Sequence, residues 1–305
     1  MVILLRTTPV KNLPLGFALA GFGTLLFSLK SIFIKFLYAE QLDADSVLVL
    51  RMLLSLPIYA LILIWSLRNN SLAENLKLPA VAKIFMLGFF GYYLASLLDL
   101  MSLELISAQL ERLGLFTYPF MVALLGYVFF NEQMTRKIIF SLVITYVGLY
   151  VVMGQELKLT GEGVVEGTLL VLGSALSFAL YVLFSKQFIK QLGSRLFTCI
   201  AMISSCAFVL LHGLTVLDFS LLTVSQQAWF WLVLLVVLST VIPSFMMVEA
   251  LDRIGATQTG IVGMLGPIFT IVLAIYLLDE PFTVGLVVGV VLMMIGVANL
   301  VKRSA

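Results

Sequence analysis

Four charged side chains stand inside or against long apolar runs of this 305-residue chain: Lys30, Arg51, Asp99 and Glu111. Two are basic and two acidic, so they can neutralise one another as pairs, or meet a charged solute or a proton. A charge in such a run is a functional candidate by default, because exposing it to lipid at the bilayer centre costs roughly 2.5–3.5 kcal/mol. Tyr92, Ser96 and Asp99 recur at i, i+4 and i+7, which predicts one shared helix face. Glu111, Leu115 and Tyr118 predict another, and Phe27 sits one turn before Lys30. Faces that mix aromatic and hydrogen-bonding groups suit a ligand site. Lys30 lies about 24 Å of helical rise past Pro14, within a lysine's reach of the interface, and Lys35 is nearer still.

Bond-breaking chemistry finds little support. No phosphate-binding glycine loop of the Walker A type is present. His212 is the single histidine; it falls near the end of an apolar run with no evident partner and reads as interfacial. Cys199 and Cys206 share one apolar run, which gives neither a disulfide framework nor metal-ligand spacing. No catalytic residue, metal or cofactor is expected. Lys and Arg number 18 against 16 Asp and Glu, a net charge of +2 that leaves no nucleic-acid footprint.

Composition fixes the solvent. The chain is 62% hydrophobic and 11% charged, with a mean hydropathy of +1.14. Soluble domains carry about 45–50% apolar and about 25% charged residues, so an ordinary soluble enzyme is excluded, as is a disordered chain. Apolar runs fall at Pro14–Tyr38, Val47–Leu67, Ile84–Leu103, Leu113–Phe130 and Ile138–Met153, then at Gly167–Ile189, Leu196–Val216, Trp229–Ala250, Thr257–Leu278 and Val284–Val301. Each is of spanning length as a helix, and none shows the alternation of a barrel strand. The prediction is an all-α polytopic membrane protein of ten transmembrane helices, with the first run an uncleaved span.

Lys and Arg set the orientation. With the N-terminus in the cytoplasm, the inner segments hold Arg6, Lys11, Arg68, Lys77, Lys83, Arg136, Lys137, Lys186, Lys190, Arg195, Arg253, Lys302 and Arg303. The outer segments hold only Arg112 and Lys158 beside Glu40, Asp43, Asp45, Glu156, Glu162, Glu166 and Asp218. Both termini are therefore expected in the cytoplasm, in a multi-pass protein of the cell's inner membrane.

The chain also repeats itself. A shift of 148 positions places Ser96 on Ser244, Ile106 on Ile254, Ala108 on Ala256, Pro119 on Pro267, Glu132 on Glu280, Thr135 on Thr283 and Gly148 on Gly296. A shift of 151 pairs Gly16 with Gly167, Phe27 with Phe178, Phe33 with Phe184 and Lys35 with Lys186. Five spans per half is odd, so the second half enters the membrane from the opposite side as an inverted repeat. Residues 1–153 form the first repeat, 154–166 a linker and 167–305 the second, within one structural domain. Lys30, Arg51, Asp99 and Glu111 fall on Tyr181, Cys199, Met247 and Thr259, so these charges exist in one half only and are the better site candidates. Lys35, matched by Lys186, reads as structural. Gly285 and Gly289 make a GxxxG pattern, for close packing or for a dimer seam.

These features resemble the drug/metabolite transporter superfamily, EamA-type, over nearly the whole chain. The resemblance rests on a helix with a central proline followed by an acidic turn, Thr117-Tyr118-Pro119 to Glu132 and Gly266-Pro267 to Glu280-Pro281. The stretch Ile106 to Arg112, and Arg51 before an apolar run, also fit. Phe27-Ser28 stands where many members carry Trp-Gly. The resemblance implies a secondary transporter, commonly an exporter of amino acids or related metabolites, working by alternating access. On that reading Asp99 and Glu111 bind a cationic group or a proton, and Lys30, Arg51 or Arg112 meet a carboxylate. Tyr92, Phe116 and Tyr118 form apolar walls, with Ser96, Tyr181 and Ser244 completing the binding set. Pro119 and Pro267 serve as hinges. The expected partners are a small-molecule substrate, the bilayer and coupling protons, for a monomer or homodimer. The alternative is a membrane-embedded enzyme acting on a lipid-linked substrate.

Overall fold

A computed structural model describes residues 13–69, 78–217 and 224–301. Among these residues every regular element is helical. Continuous apolar sequence has no other way to satisfy its backbone in lipid. The first half comprises α1 (Leu13–Ala39), α2 (Ala44–Asn69), α3 (Leu78–Gly88) running through a π-helical turn into α4 (Ala95–Leu105), α5 (Ala108–Leu115) with α6 (Tyr118–Phe130), and α7 (Arg136–Thr160). The second comprises α8 (Val164–Leu192), α9 (Ser194–Val216), α10 (Gln226–Val236) running through a second π turn into α11 (Ile242–Gly263), α12 (Gly266–Leu277) and α13 (Val284–Val301). Nine spans of membrane length result, and α13 supplies the tenth. Its 18 residues rise about 27 Å, close to the hydrocarbon thickness.

The packing obeys the inverted repeat. α1 lies against α11 and α12, and its counterpart α8 lies against α4 and α6. α2 pairs with α9, and α7 with α13, across the same pseudo-twofold axis. Local irregularities repeat as well. The π turns Phe89–Leu94 and Val237–Val241 begin 148 positions apart. Non-glycine residues in the left-handed region stand at Asn131 (φ 51°) and Asp279 (φ 54°), again in register.

The α7–α13 contact is made by glycines. A methyl group on Gly289 would stand 2.6 Å from the Gly148 carbonyl oxygen, and one on Gly296 2.8 Å from the Ser141 carbonyl. The GxxxG pattern is thus used within the chain, with Gly285 against Gln155 and Gly289 against Val152.

Two boundaries differ from the sequence reading. The fourth span begins at Ala108, not Leu113, because Ser107 caps α5 by accepting from Leu110 N at 3.1 Å. Glu111 and Arg112 are therefore inside a helix, and Arg112 is no loop residue. Residues 154–166 are mostly helical, since α7 runs to Thr160 and α8 starts at Val164. Gly161, Glu162 and Gly163 alone connect the halves, two of them at positive φ (80° and 85°).

The two ends of the bundle differ in charge. An acidic end carries Glu40, Asp43, Asp45, Glu104, Glu156, Glu162 and Glu280. A basic end carries Arg68, Lys83, Arg136, Lys137, Lys186, Lys190, Arg195 and Arg253. Both termini, with Arg6, Lys11, Lys77, Asp218, Lys302 and Arg303, lie outside the described residues.

Candidate functional site

α1 is an apolar helix with a polar stripe of Thr24, Ser28, Lys30 and Ser31. Thr24, Ser28 and Ser31 are buried where α1 meets α4, α5, α11 and α12. Lys30 Nζ forms an ion pair with Asp99 Oδ2 of α4. Ser31 Oγ donates to Glu111 Oε2 of α5 at 2.7 Å. The Asp99 and Glu111 carboxyls lie against each other. Asp99 is 1% exposed and Glu111 0%. Asp99 Oδ1 and Glu111 Oε1 meet no protein donor among the described residues. Two buried carboxyls beside one lysine form a neutral group when they hold one proton between them.

Arg51 of α2 is also buried, with Asp99 and Tyr38 as its electrostatic neighbours. Its Nε and Nη2 find no protein acceptor among the described residues. Tyr92 and Tyr181 hydroxyls are 3.2 Å apart, across the two halves. With Phe178 and Tyr118 they form a continuous aromatic wall, successive ring centroids lying 5.1–5.7 Å apart. Phe116 is half-buried at the end of α5. Ser96 is half-buried on α4, and Ser244 donates to the Thr240 carbonyl at 2.5 Å.

Helix breaks shape the rest. The fourth span is interrupted at Phe116–Thr117 and the ninth at Met264–Leu265, each just before its proline. Thr117 takes up the Gly114 carbonyl through its hydroxyl at 2.7 Å. Ser28 donates to the Gly266 carbonyl at 3.0 Å, so the serine of the first helix ties α1 to the other break. The Arg112 guanidinium lies over the same glycine, with Nη2 3.3 Å from where a Cβ on Gly266 would sit.

The structure brings Lys30, Asp99 and Glu111 together, places Arg51 beside them, and separates several predicted neighbours. Tyr92 reaches Tyr181 on α8, whereas Asp99 reaches Lys30 on α1; the π turn adds a residue to the helical turn between them. The break at Phe116–Thr117 removes Tyr118 from the face of Glu111. His212 is not partnerless: its Nδ1 lies 3.1 Å from the Tyr93 hydroxyl and its Nε2 3.0 Å from Asp45 Oδ1. Pro119 and Pro267 occupy the first turn of α6 and α12, where the missing N–H is not needed. Lys35 and Lys186 match in sequence but not in setting. Lys186 is exposed, while Lys35 lines a cavity of ≈ 400 Å³ with Glu104, Glu156 and Glu280.

That cavity marks a set of bonds the sequence reading missed. Glu280 accepts from Ala108 N at 2.7 Å and Gln109 N at 3.2 Å, capping α5 from the opposite half. Glu156 accepts from Ser107 N at 2.7 Å and from its hydroxyl at 2.6 Å. Glu104 accepts from Ala44 N at 2.6 Å. Carboxylates suit helix N-termini because free N–H groups and the helix dipole converge there. Burial pushes the Glu280 carboxyl above the usual carboxylate range, and the two backbone N–H groups oppose that rise. The repeat register gave a signal for Glu280, through Glu132; Ser31 gave none.

The sequence pattern of the EamA-like transporter family matches residues 14–154 and again residues 165–301. The chain is 27% identical to the uncharacterized transporter YcbK of Bacillus subtilis (strain 168), over 88% of this chain and 86% of the relative. It is 22% identical to the uncharacterized transporter YyaM of the same organism, over 73% and 74%. A solved crystal structure with 14% identity superposes with a TM-score of 0.66, covering 95% of this chain and 98% of the other. That likeness concerns the fold.

Proposed function

Because the chain belongs to the EamA-like transporter family, we propose that it is a secondary transporter moving a small organic solute across the cytoplasmic membrane by alternating access. The solute is an amino acid or related metabolite, and the net direction is efflux. The observation that carries this reading is the buried Lys30–Asp99–Glu111 cluster with Arg51, whose Nε and Nη2 find no acceptor among the described residues, on first-repeat helices of which α1 packs against α11 and α12 and α2 against α9 of the second. Substrate sites of inverted-repeat transporters lie between the repeats. Lys30, Arg51 and Arg112 meet the solute's carboxylate; Asp99 and Glu111 take its cationic group or a coupling proton. The wall of Tyr92, Tyr118 and Tyr181 with Phe116 fits its apolar part, and Ser96 and Ser244 supply hydroxyls. A solute that binds the folded state raises its melting temperature by mass action. A metabolite panel should give hits with the wild type that Glu111→Gln loses; equal shifts in both would count against this site.

The basic end faces the cytoplasm, following the placement of Lys and Arg. Gln191→Cys at the basic end should resist an impermeant thiol reagent in intact cells, and Glu162→Cys at the acidic end should label. The reverse pattern overturns this orientation. Pro119 and Pro267 act as hinges at the two breaks. Pro119→Ala and Pro267→Ala should leave the melting temperature unchanged or slightly raised while slowing flux. A parallel loss of expression and flux would mark them as structural instead.

A further inference from the structure

The two ends of the molecule carry the same device in two different states. At the acidic end, Glu280 follows a left-handed Asp279, and its own N–H donates to the Ala274 carbonyl at 3.2 Å. At the basic end, Glu132 follows a left-handed Asn131, and its N–H donates to the Gly126 carbonyl, also at 3.2 Å. The two turns share this left-handed residue and this bond, and each presents one glutamate. The receptors are also copies. α5 starts after Ser107, in extended backbone (φ −65°, ψ 157°). Its repeat counterpart, residues 256–263 of α11, restarts after Gly255 (φ 82°, ψ 169°), which breaks the helix and leaves a new N-terminus.

The states differ. Glu280 holds both leading N–H groups of α5, and that helix is buried: Leu110 is 0% exposed and Leu113 1%. Glu132 is exposed and makes no side-chain hydrogen bond among the described residues, and the restarted helix is open, with Gln258 and Gly260 exposed and Ile261 at 51%. Lys35 attends the engaged glutamate from within its cavity, whereas its sequence mate Lys186 is exposed at the basic end.

We propose that Glu280 and Glu132 are the alternating latches of the transport cycle: Glu280 closes the acidic end in this conformation, and Glu132 closes the basic end in the opposite one by capping the helix that restarts after Gly255. This rests on the alternating-access reading above. Each latch joins a loop of one repeat to a broken helix of the other, so engaging one requires the repeats to rock away from the other. The glutamates position helices and need not touch solute.

Leu110 and Gln258 are repeat mates, buried and exposed respectively. Leu110→Cys and Gln258→Cys, labelled by a small maleimide in detergent, therefore report the two ends. A glutamine accepts at one atom where a carboxylate accepts at two. Glu280→Gln should thus speed labelling at Leu110→Cys and slow it at Gln258→Cys, so that the ratio of the two rates rises about tenfold for loss of a charged cap. Glu132→Gln should do the reverse. Ser107→Ala, which weakens the same end without touching either glutamate, separates the two ideas. If Ser107→Ala moves the sites reciprocally but neither glutamate variant does, the latch is overturned and alternating access stands. If labelling at the two sites rises together or independently in every background, alternating access fails and the latch with it. Should Glu280→Gln not fold, Glu132→Gln decides alone through the ratio of labelling at Leu110→Cys to that at Gln258→Cys: an unchanged ratio overturns the latch.

Discussion

Asp99→Asn is expected to lower the stability of the folded protein by about 3–5 kcal/mol and to abolish solute flux. The Lys30 ammonium pairs with this carboxylate in a site where the Asp99 side chain is 2% exposed and the Lys30 side chain 18%. Removing the acid alone leaves a lysine in a low-dielectric pocket with most of its solvent contact already lost. Part of the loss is offset by Glu111, which faces the same pair. The single variant Lys30→Met should be destabilising for the converse reason, because it strands two adjacent carboxyls. The double variant Lys30→Met/Asp99→Asn should recover most of the melting temperature, since neither charge is left alone, while flux stays lost. Thermal unfolding of the four proteins in one detergent closes this cycle. Losses that simply add in the double variant would contradict a coupled pair.

Gly289→Ala is expected to destabilise the protein by about 1–3 kcal/mol, a large effect for one methyl group. The new Cβ would stand 2.6 Å from the backbone oxygen of Gly148. Backbone in a facing helix cannot step aside as a side-chain tip can, so α7 and α13 must separate along their length. Gly154→Ala is the control. A Cβ there meets nothing within 4 Å, and alanine is the better helix former by about 1 kcal/mol, so this variant should be neutral or stabilising. Equal melting temperatures for the two variants would show that the close approach does not matter to stability.

What the sequence revealed and what it hid follow from the range of the interactions. Spanning helices depend on local apolar length, so the ten runs were legible, although the polar start of the fourth span was not: Ser107 and Glu111 look like loop until Ser107 is seen as a cap. The inverted repeat was legible because Pro119 and Pro267, and Glu132 and Glu280, fall in one register. The π turns left no such mark, since an extra residue in a helical turn has no fixed composition. They nonetheless decide which way Tyr92 points. Lys30 and Asp99 were each noticeable as charges in apolar sequence, yet their pairing spans 69 positions and depends on how α1 meets α4. Ser31 was silent for the same reason. Lys35 reads as structural because Lys186 matches it, yet the two differ in setting, and the latch proposed above uses the matched Glu132 and Glu280. A residue used in turn at each end must be present in both halves.

On the function proposed above, the Lys30–Asp99–Glu111 cluster carries a solute across the membrane without altering it. Counterflow in proteoliposomes tests it most directly. Vesicles are loaded with an excess of a solute that stabilises the wild-type protein, then diluted into a trace of the same solute carrying a label. The wild type should concentrate the label transiently above its external level, and the recovered label should be chemically unchanged. Asp99→Asn vesicles of equal protein content should not. Label that only equilibrates, that appears as a new compound, or that accumulates equally with Asp99→Asn would contradict the account.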